Sequence, residues 1–308
     1  MVIKYENNSQ GILPNGQEIA VKRLSGSSSQ GIREFVNEVD LLAKLKHKNL
    51  VQLLGCCVQR QEKLICYEYL PNGSLDMILF EKESSKYMEL GWKMRYKIIE
   101  GISRGLFYLH EESPIKIIHR DLKASNILLD RNMNPKISDF GLARFFEDEL
   151  THKETSKIAG TFGYMAPEYV LHGTFSAKSD VYIFGVLLLE IVTGQKNSSF
   201  LGSSRASNLI SYAWQHCAEG TIQEMIDPIL EDEYLDDITR CINVALHCVQ
   251  EDPINRPNME MINLMLGGSA GTVQPVFPAA WSFNQTADMS TRDNNLGTKR
   301  KTITESIL

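Results

Sequence analysis

The chain has 308 residues, 43% of them hydrophobic and 23% charged, with a formal net charge of −6. This balance is ordinary for a soluble globular protein able to bury its own core, and it argues against bulk nucleic-acid binding. Six scattered cysteines without a Cys-x-x-Cys pair exclude a disulfide framework or a zinc site and read as small buried hydrophobes. No run of about 18 apolar residues marks a membrane span.

In chain order, residues 17–22 read as a short strand after the turn Pro14-Asn-Gly16, and residues 25–31 as a Ser/Gly-rich loop. Ile32, Phe35, Val36, Val39, Leu42 and Leu45 recur at helical spacing, so a helix is predicted over 32–46. Two further strands are predicted at 50–54 and 63–69, closed by Pro71-Asn-Gly73. The chain is mainly helical beyond that point. Ile98, Ile102, Leu106 and Leu109 mark one face of a helix over 92–111. Residues 114–175 read as short strands and loops dense in Asp, Gly and Pro. Further helices are predicted at 180–193, 207–218 and 236–249. The apolar run around 181–192 carries Gly185 and Glu190 and reads as a buried helix. Apolar periodicity fails from Gly267, and residues 268–308 read as a disordered tail.

A small β-rich lobe followed by a larger helical one is an α+β arrangement. The expected boundaries are 1–70, 71–267 and the tail 268–308, with a hinge and a ligand cleft near residues 69–73.

Four short motifs occur in one order: Ala20-Val-Lys22 on a strand, His119-Arg-Asp-Leu-Lys-Ala-Ser-Asn126 in a loop, Asp139-Phe-Gly141 after a strand, and Ala166-Pro-Glu168. A helical Glu38 lies between the first and the second. Together they resemble the eukaryotic protein kinase family over residues 11–267. Tyr67-Glu-Tyr-Leu-Pro-Asn-Gly-Ser-Leu75 and Gly160-Thr-Phe-Gly-Tyr-Met-Ala-Pro-Glu-Tyr169 narrow the resemblance to plant receptor-like serine/threonine kinases of the cysteine-rich or S-domain lectin type.

The resemblance implies a bilobal protein kinase fold with ATP and Mg²⁺ as cofactors. Phosphoryl transfer spreads negative charge over the moving phosphate, so positioned cations and hydrogen bonds carry most of the catalysis. Lys22 would hold the α- and β-phosphates, fixed by Glu38. Asp121 would accept the proton of the substrate hydroxyl, and Lys123 would meet the γ-phosphate. Asn126 and Asp139 would hold Mg²⁺ through oxygen. Tyr67 would back the nucleotide pocket, with backbone groups of Glu68 and Leu70 bonding adenine. Lys123 and Thr161 point to serine/threonine rather than tyrosine substrates. Asp180 and Arg256 resemble scaffold residues. Arg120 implies switching by phosphorylation of Thr151, Thr155 or Ser156, with Thr155 or Ser156 favoured.

Protein substrates are implied, with a kinase or receptor as a further partner. Nucleic acid is not expected. The implied location is cytoplasmic, at the inner face of the plasma membrane. One departure stands out. The family's glycine-rich loop should precede Gly11, yet residues 1–10 contain no glycine. The N-terminal lobe is therefore expected to be truncated, without its first strand, and to leave a sheet edge unpaired. An alternative reading follows: a catalytically impaired binding module, because the loop that brings backbone N–H groups to the phosphates is absent.

Overall fold

The computed structural model describes residues 3–5, 8–23, 29–59, 62–146, 153–155, 157–200, 206, 208–230 and 232–269. The first lobe is one antiparallel sheet and a helix. Its strands are β1 (Ile3–Tyr5), β2 (Asn8–Ile12), β3 (Glu18–Arg23), β4 (Leu53–Gln59) and β5 (Glu62–Glu68), in the order β1-β2-β3-β5-β4. This corrects the expectation of a missing first strand. Ile3 pairs with Gln10 and Tyr5 with Asn8, and β2 continues onto β3 with Asn8 opposite Lys22. The sheet is completed by pairing, which needs alternating backbone groups and no glycine. Only residues 6 and 7 separate the two strands.

The strand expected at 50–54 begins three residues later, at Leu53, because Asn49 and Val51 bond across to the second lobe instead. Val51 N donates to Ile137 O, and Ile137 N donates to Asn49 O, both at 2.9 Å. β4 is an edge strand, so Cys56 and Cys57 are exposed rather than buried. Cys241 and Cys248 follow the expectation.

Helix α1 (Ser29–Leu42) starts within the segment read as a loop. Phe35, Glu38, Leu41 and Leu42 form its buried face, as a period near 3.6 requires. Asn37 tethers the helix by donating to three carbonyls, those of Phe140, Gly141 and Ala143, at 2.9–3.0 Å.

The second lobe is built on α4 (Trp92–Phe107), α6 (Ala177–Thr193), α7 (Leu209–Glu219), α8 (Leu235–Cys248) and α9 (Met259–Leu266), with the short α2 (Leu75–Leu79), α3 (Ser85–Met88) and α5 (Pro167–His172) around them. The sequence reading missed α2, α3, α5 and α9. Three of these four are too short for periodicity to register. The fourth, α9, ends just where the apolar pattern stops. Four pairs of β6 (Lys116–Ile118), β7 (Ile127–Leu129), β8 (Pro135–Ile137), β9 (Arg144–Phe146), β10 (Lys153–Glu154) and β11 (Thr174–Phe175) fall into three ribbons, β6-β9, β7-β8 and β10-β11.

Helix α6 is the centre of this lobe. Ser176 and Ser179 make a reciprocal capping box at its start, and Gly194 at φ +61° ends it. Every residue from Ser179 to Thr193 is buried, which explains an apolar run without amphipathic alternation. Gly185 has a packing reason: a Cβ there would lie 2.6 Å from Cys248 Cβ on α8. Among the described residues no helix is long and apolar enough to cross a membrane.

Candidate active site

Three polypeptide elements converge on the cleft between sheet and helices. From β3, Lys22 Nζ donates to Glu38 Oε2 at 2.9 Å and to Asp139 Oδ1 at 2.8 Å. Strand β3 aims Lys22 across the sheet and α1 brings Glu38 to it. The two carboxylates hold the charge in place. Burial opposes the ammonium charge, but Glu38 and Asp139 outweigh it and raise Lys22 above the usual lysine range. Burial likewise opposes the Asp139 carboxylate, and Lys22 reverses this, keeping Asp139 below its ordinary value.

The catalytic-loop candidates sit on the opposite wall. Thr161 Oγ1 donates to Asp121 Oδ1 at 2.7 Å, and Lys123 Nζ reaches both Asp121 Oδ2 and Thr161 Oγ1 at 2.9 Å. Asn126 Nδ2 donates to the Asp121 carbonyl at 2.8 Å and to its carboxylate at 3.2 Å. With its amide nitrogen so committed, Asn126 turns its oxygen the other way, and the residue lines the cleft beside Asp139.

Two backbone outliers hold this arrangement. Arg120 and Asp139 have φ of +69° and +66°, a region that costs non-glycine residues energy unless the surroundings fix it. Asp180, fully buried at the start of α6, supplies the fixing for the first. It accepts from the backbone N–H groups of His119 at 2.7 Å and Arg120 at 2.8 Å, and lies 3.0 Å from His110 Nε2. His110 reaches Asp180 through a local irregularity. The helix predicted to run to 111 leaves the α-helical pattern after Phe107, and Ser113 N closes a wider turn onto Tyr108 O at 2.8 Å. His119 meets Phe140 edge to face at 4.9 Å, joining the two loops through packing.

The cleft has a volume of about 840 Å³ and is lined by Ala20, Val51, Tyr67, Leu70 and Leu128 among others. Tyr67 stands at its back, its buried hydroxyl unpartnered. Glu68 is committed to the fold. Its N–H donates to Gln52 O and its carboxylate pairs with Lys136 at 2.9 Å. Leu70 O accepts from Gly73 N. The Leu70 N–H makes no hydrogen bond among the described residues, so it is open to a ligand in the cleft.

A family model described as protein tyrosine and serine/threonine kinase matches residues 5–266. The chain belongs to this kinase family. A putative G-type lectin S-receptor-like serine/threonine-protein kinase of Arabidopsis thaliana is 55% identical to it over 86% of the chain and 31% of that protein. Cysteine-rich receptor-like protein kinase 29 of the same plant is 53% identical over 88% of the chain and 40% of its own length. Cysteine-rich receptor-like protein kinase 6 of Oryza sativa subsp. japonica is 52% identical over 86% and 38%. The chain thus spans between about a third and two fifths of these relatives.

The kinase's segment between Asp139 and Ala166 is anchored at both ends. Arg256 grips Glu168 with two bonds of 2.8 Å beneath the Ala-Pro-Glu motif. Of the loop hydroxyls singled out from the sequence, Thr151 and Ser156 lie outside the described residues. Thr155 lies inside them, and its N–H donates to Gly173 O at 3.0 Å. Beside Thr155 is a pocket of about 400 Å³ lined by Arg33, Arg120, Arg144 and Lys157. The sequence reading had Arg120 alone. Arg33 and Arg144 carried no motif and are brought to it by α1 and β9. Burial and the neighbouring Arg120 push Arg144 below the usual guanidinium range, and Arg120 Nε is buried without a partner.

Proposed function

We propose that this chain transfers the γ-phosphate of ATP, with Mg²⁺, to serine and threonine hydroxyls of protein substrates and of its own loop. The observation that carries this reading is the double convergence in the cleft: Lys22 paired with Glu38 and Asp139 on one side, and Asp121 bridged by Thr161 and Lys123 on the other. Lys22 supplies a fixed positive charge for the nucleotide phosphates. Asp121 is an acceptor for the proton of the incoming hydroxyl, and Lys123 stands within reach of both that carboxylate and the transferring group. The Asn126 and Asp139 oxygens are hard donors suited to a divalent cation. Bound there, Mg²⁺ would neutralise phosphate charge. The Leu70 N–H and the apolar walls would hold the adenine.

Residues 1–10 lack glycine, but the hairpin β1–β2 still covers the Lys22 end of the sheet. The binding-module alternative rests on those missing glycines alone, and the intact charge arrangement gives it no support. By likeness to the receptor-like relatives, the reading extends to a location at the cytoplasmic face of the plasma membrane and to a receptor or second kinase as partner. The test is phosphate incorporation from labelled ATP into matched peptides carrying Ser, Thr or Tyr at one position. Labelling of the Ser and Thr peptides without the Tyr peptide is expected. No labelling, or a preference for Tyr, would overturn the reading.

The same reading includes control by loop phosphorylation. A phosphate on Thr155 would bring close to two negative charges to the arginine pocket and let Arg120 and Arg144 share an anion instead of facing one another. One charge-assisted bond of about 1.5–3 kcal/mol corresponds to roughly 10–100-fold in the ordered population. Phosphatase treatment is therefore expected to lower kcat by at least about tenfold, and to do much less in Arg144→Ala. Equal losses in both proteins would refute the pocket's role.

A further inference from the structure

A buried acid in α6 remains unused by the chemistry above. Glu190 is 0% exposed and lies in the middle of the most apolar helix of the chain. Burying a carboxylate is costly unless its bonds are satisfied. Here one oxygen is used twice and the other not at all. Tyr164 donates its hydroxyl to Glu190 Oε1 at 2.6 Å, and the Asn197 N–H donates to the same oxygen at 2.9 Å. Glu190 Oε2 is buried without a partner. Burial, with the Asp76 charge adding to it, pushes Glu190 up to about 7, although Tyr164, Asn197 and Lys196 pull the other way. A helix core gains nothing from such a group, and a leucine would pack there at less cost.

The two donors lead to the substrate side of the cleft. Tyr164 N donates to Thr161 O at 3.2 Å, closing a turn over residues 161–164. Asn197 Nδ2 donates to Gly163 O at 2.8 Å inside that turn. Gly163 has φ +94°, and a Cβ on it would lie 3.3 Å from Asn197 Nδ2. At the other end, Thr161 bonds Asp121. One chain of hydrogen bonds therefore runs from Glu190 through Tyr164 and Asn197 to the turn, and from the turn to Asp121. The outer side of the turn carries Phe162, which is 84% exposed.

We propose that Glu190 is a positioning residue for the protein substrate: through Tyr164 and Asn197 it fixes the 161–164 turn, on which the acceptor segment rests with its hydroxyl at Asp121. This rests on the kinase reading and adds to it the device that places the acceptor rather than the nucleotide. Two consequences separate it from a purely structural brace. Loss of the brace spares ATP and water as reactants and penalises the peptide. A neutral side chain of the same shape also suffices, since Glu190→Gln keeps the accepting oxygen for both donors.

The experiment compares Tyr164→Phe, Glu190→Ala and Glu190→Gln in the whole chain. Three quantities are measured: peptide phosphorylation, ATP hydrolysis without peptide, and hydrogen exchange of the backbone amides in residues 161–165. In Tyr164→Phe and Glu190→Ala, kcat/KM for the peptide should fall by about tenfold or more, the loss expected from one charge-assisted bond. The KM for ATP and the ATP hydrolysis rate should stay within about twofold, and exchange in the turn should speed up while α6 amides stay protected. Glu190→Gln should restore both peptide turnover and protection. Equal losses in peptide phosphorylation and ATP hydrolysis would overturn the proposal, as would unchanged exchange in the turn. Wild-type chain that phosphorylates nothing would sink the kinase reading. The exchange measurement would still decide whether Glu190 fixes the turn. Should Glu190→Ala fail to fold, Tyr164→Phe removes the same bond with a single oxygen atom.

Discussion

Asp121→Asn is expected to lower kcat for peptide phosphorylation by about 10²–10⁴-fold, the usual contribution of a positioned general base. The carboxylate is nearly buried and already organised. Thr161 and Lys123 occupy its two oxygens at 2.7 and 2.9 Å, and Asn126 adds a third, longer bond. An asparagine keeps the size and one accepting oxygen, so the loop has no steric reason to move. It cannot take a proton, and its NH₂ would face the Lys123 ammonium or the Thr161 hydroxyl, both donors. The nucleotide side of the cleft does not depend on this group, because Lys22, Glu38 and Asp139 form their own triad. Stabilisation by Mg-ATP in a thermal shift should accordingly persist in the variant. A kcat within about threefold of wild type would remove Asp121 from the chemistry. A lost thermal shift would mean that the substitution had disturbed the loop.

Much of this cleft was legible in the sequence because its residues sit at fixed offsets in short loops. His119 to Asn126 and Asp139 to Gly141 are each held by local backbone geometry, so spacing alone carries their arrangement. Residues joined only by tertiary packing gave no such signal. Arg144 and Arg33 look like ordinary surface cations until β9 and α1 bring them beside Arg120. Glu190 could be read as a flaw in an apolar helix, and its partner Tyr164 as a loop aromatic. The N-terminal strands were misjudged for a different reason. The absence of glycine was equated with the absence of a hairpin, whereas antiparallel pairing of Ile3–Tyr5 with Asn8–Ile12 makes no demand for it. Helix lengths behaved as physics suggests. The long helices α6 and α8 were found within a few residues, and helices of four to six residues were not, since fewer than two turns cannot define a period.

The second large effect is on stability and lies away from the cleft. Arg95 and Asp227 are both 0% exposed and 2.7 Å apart. Arg95 also donates to Leu90 O at 2.8 Å and Ile191 O at 2.6 Å, while Tyr87 donates its hydroxyl to the Asp227 carboxylate at 2.7 Å. Burial and that carboxylate push Tyr87 up to about 12. The network ties α3, α4, the end of α6 and the turn after Ile226 together. Gly194 leaves room for it, because a Cβ there would lie 2.1 Å from Asp227 Oδ2. Asp227→Ala removes the acceptor for two donors and strands a guanidinium in the core. The expected cost is about 3–5 kcal/mol of unfolding free energy, a fall of roughly 6–20 °C in melting temperature. The pair itself is a weaker source of stability than its rupture suggests. Replacing both partners, as in Arg95→Met with Asp227→Leu, removes the two charges together and should recover more than half of the loss. Calorimetric melting of the two single variants and the double variant decides the matter. Singles that melt within about 2 °C of wild type would show that the network is not holding these elements together.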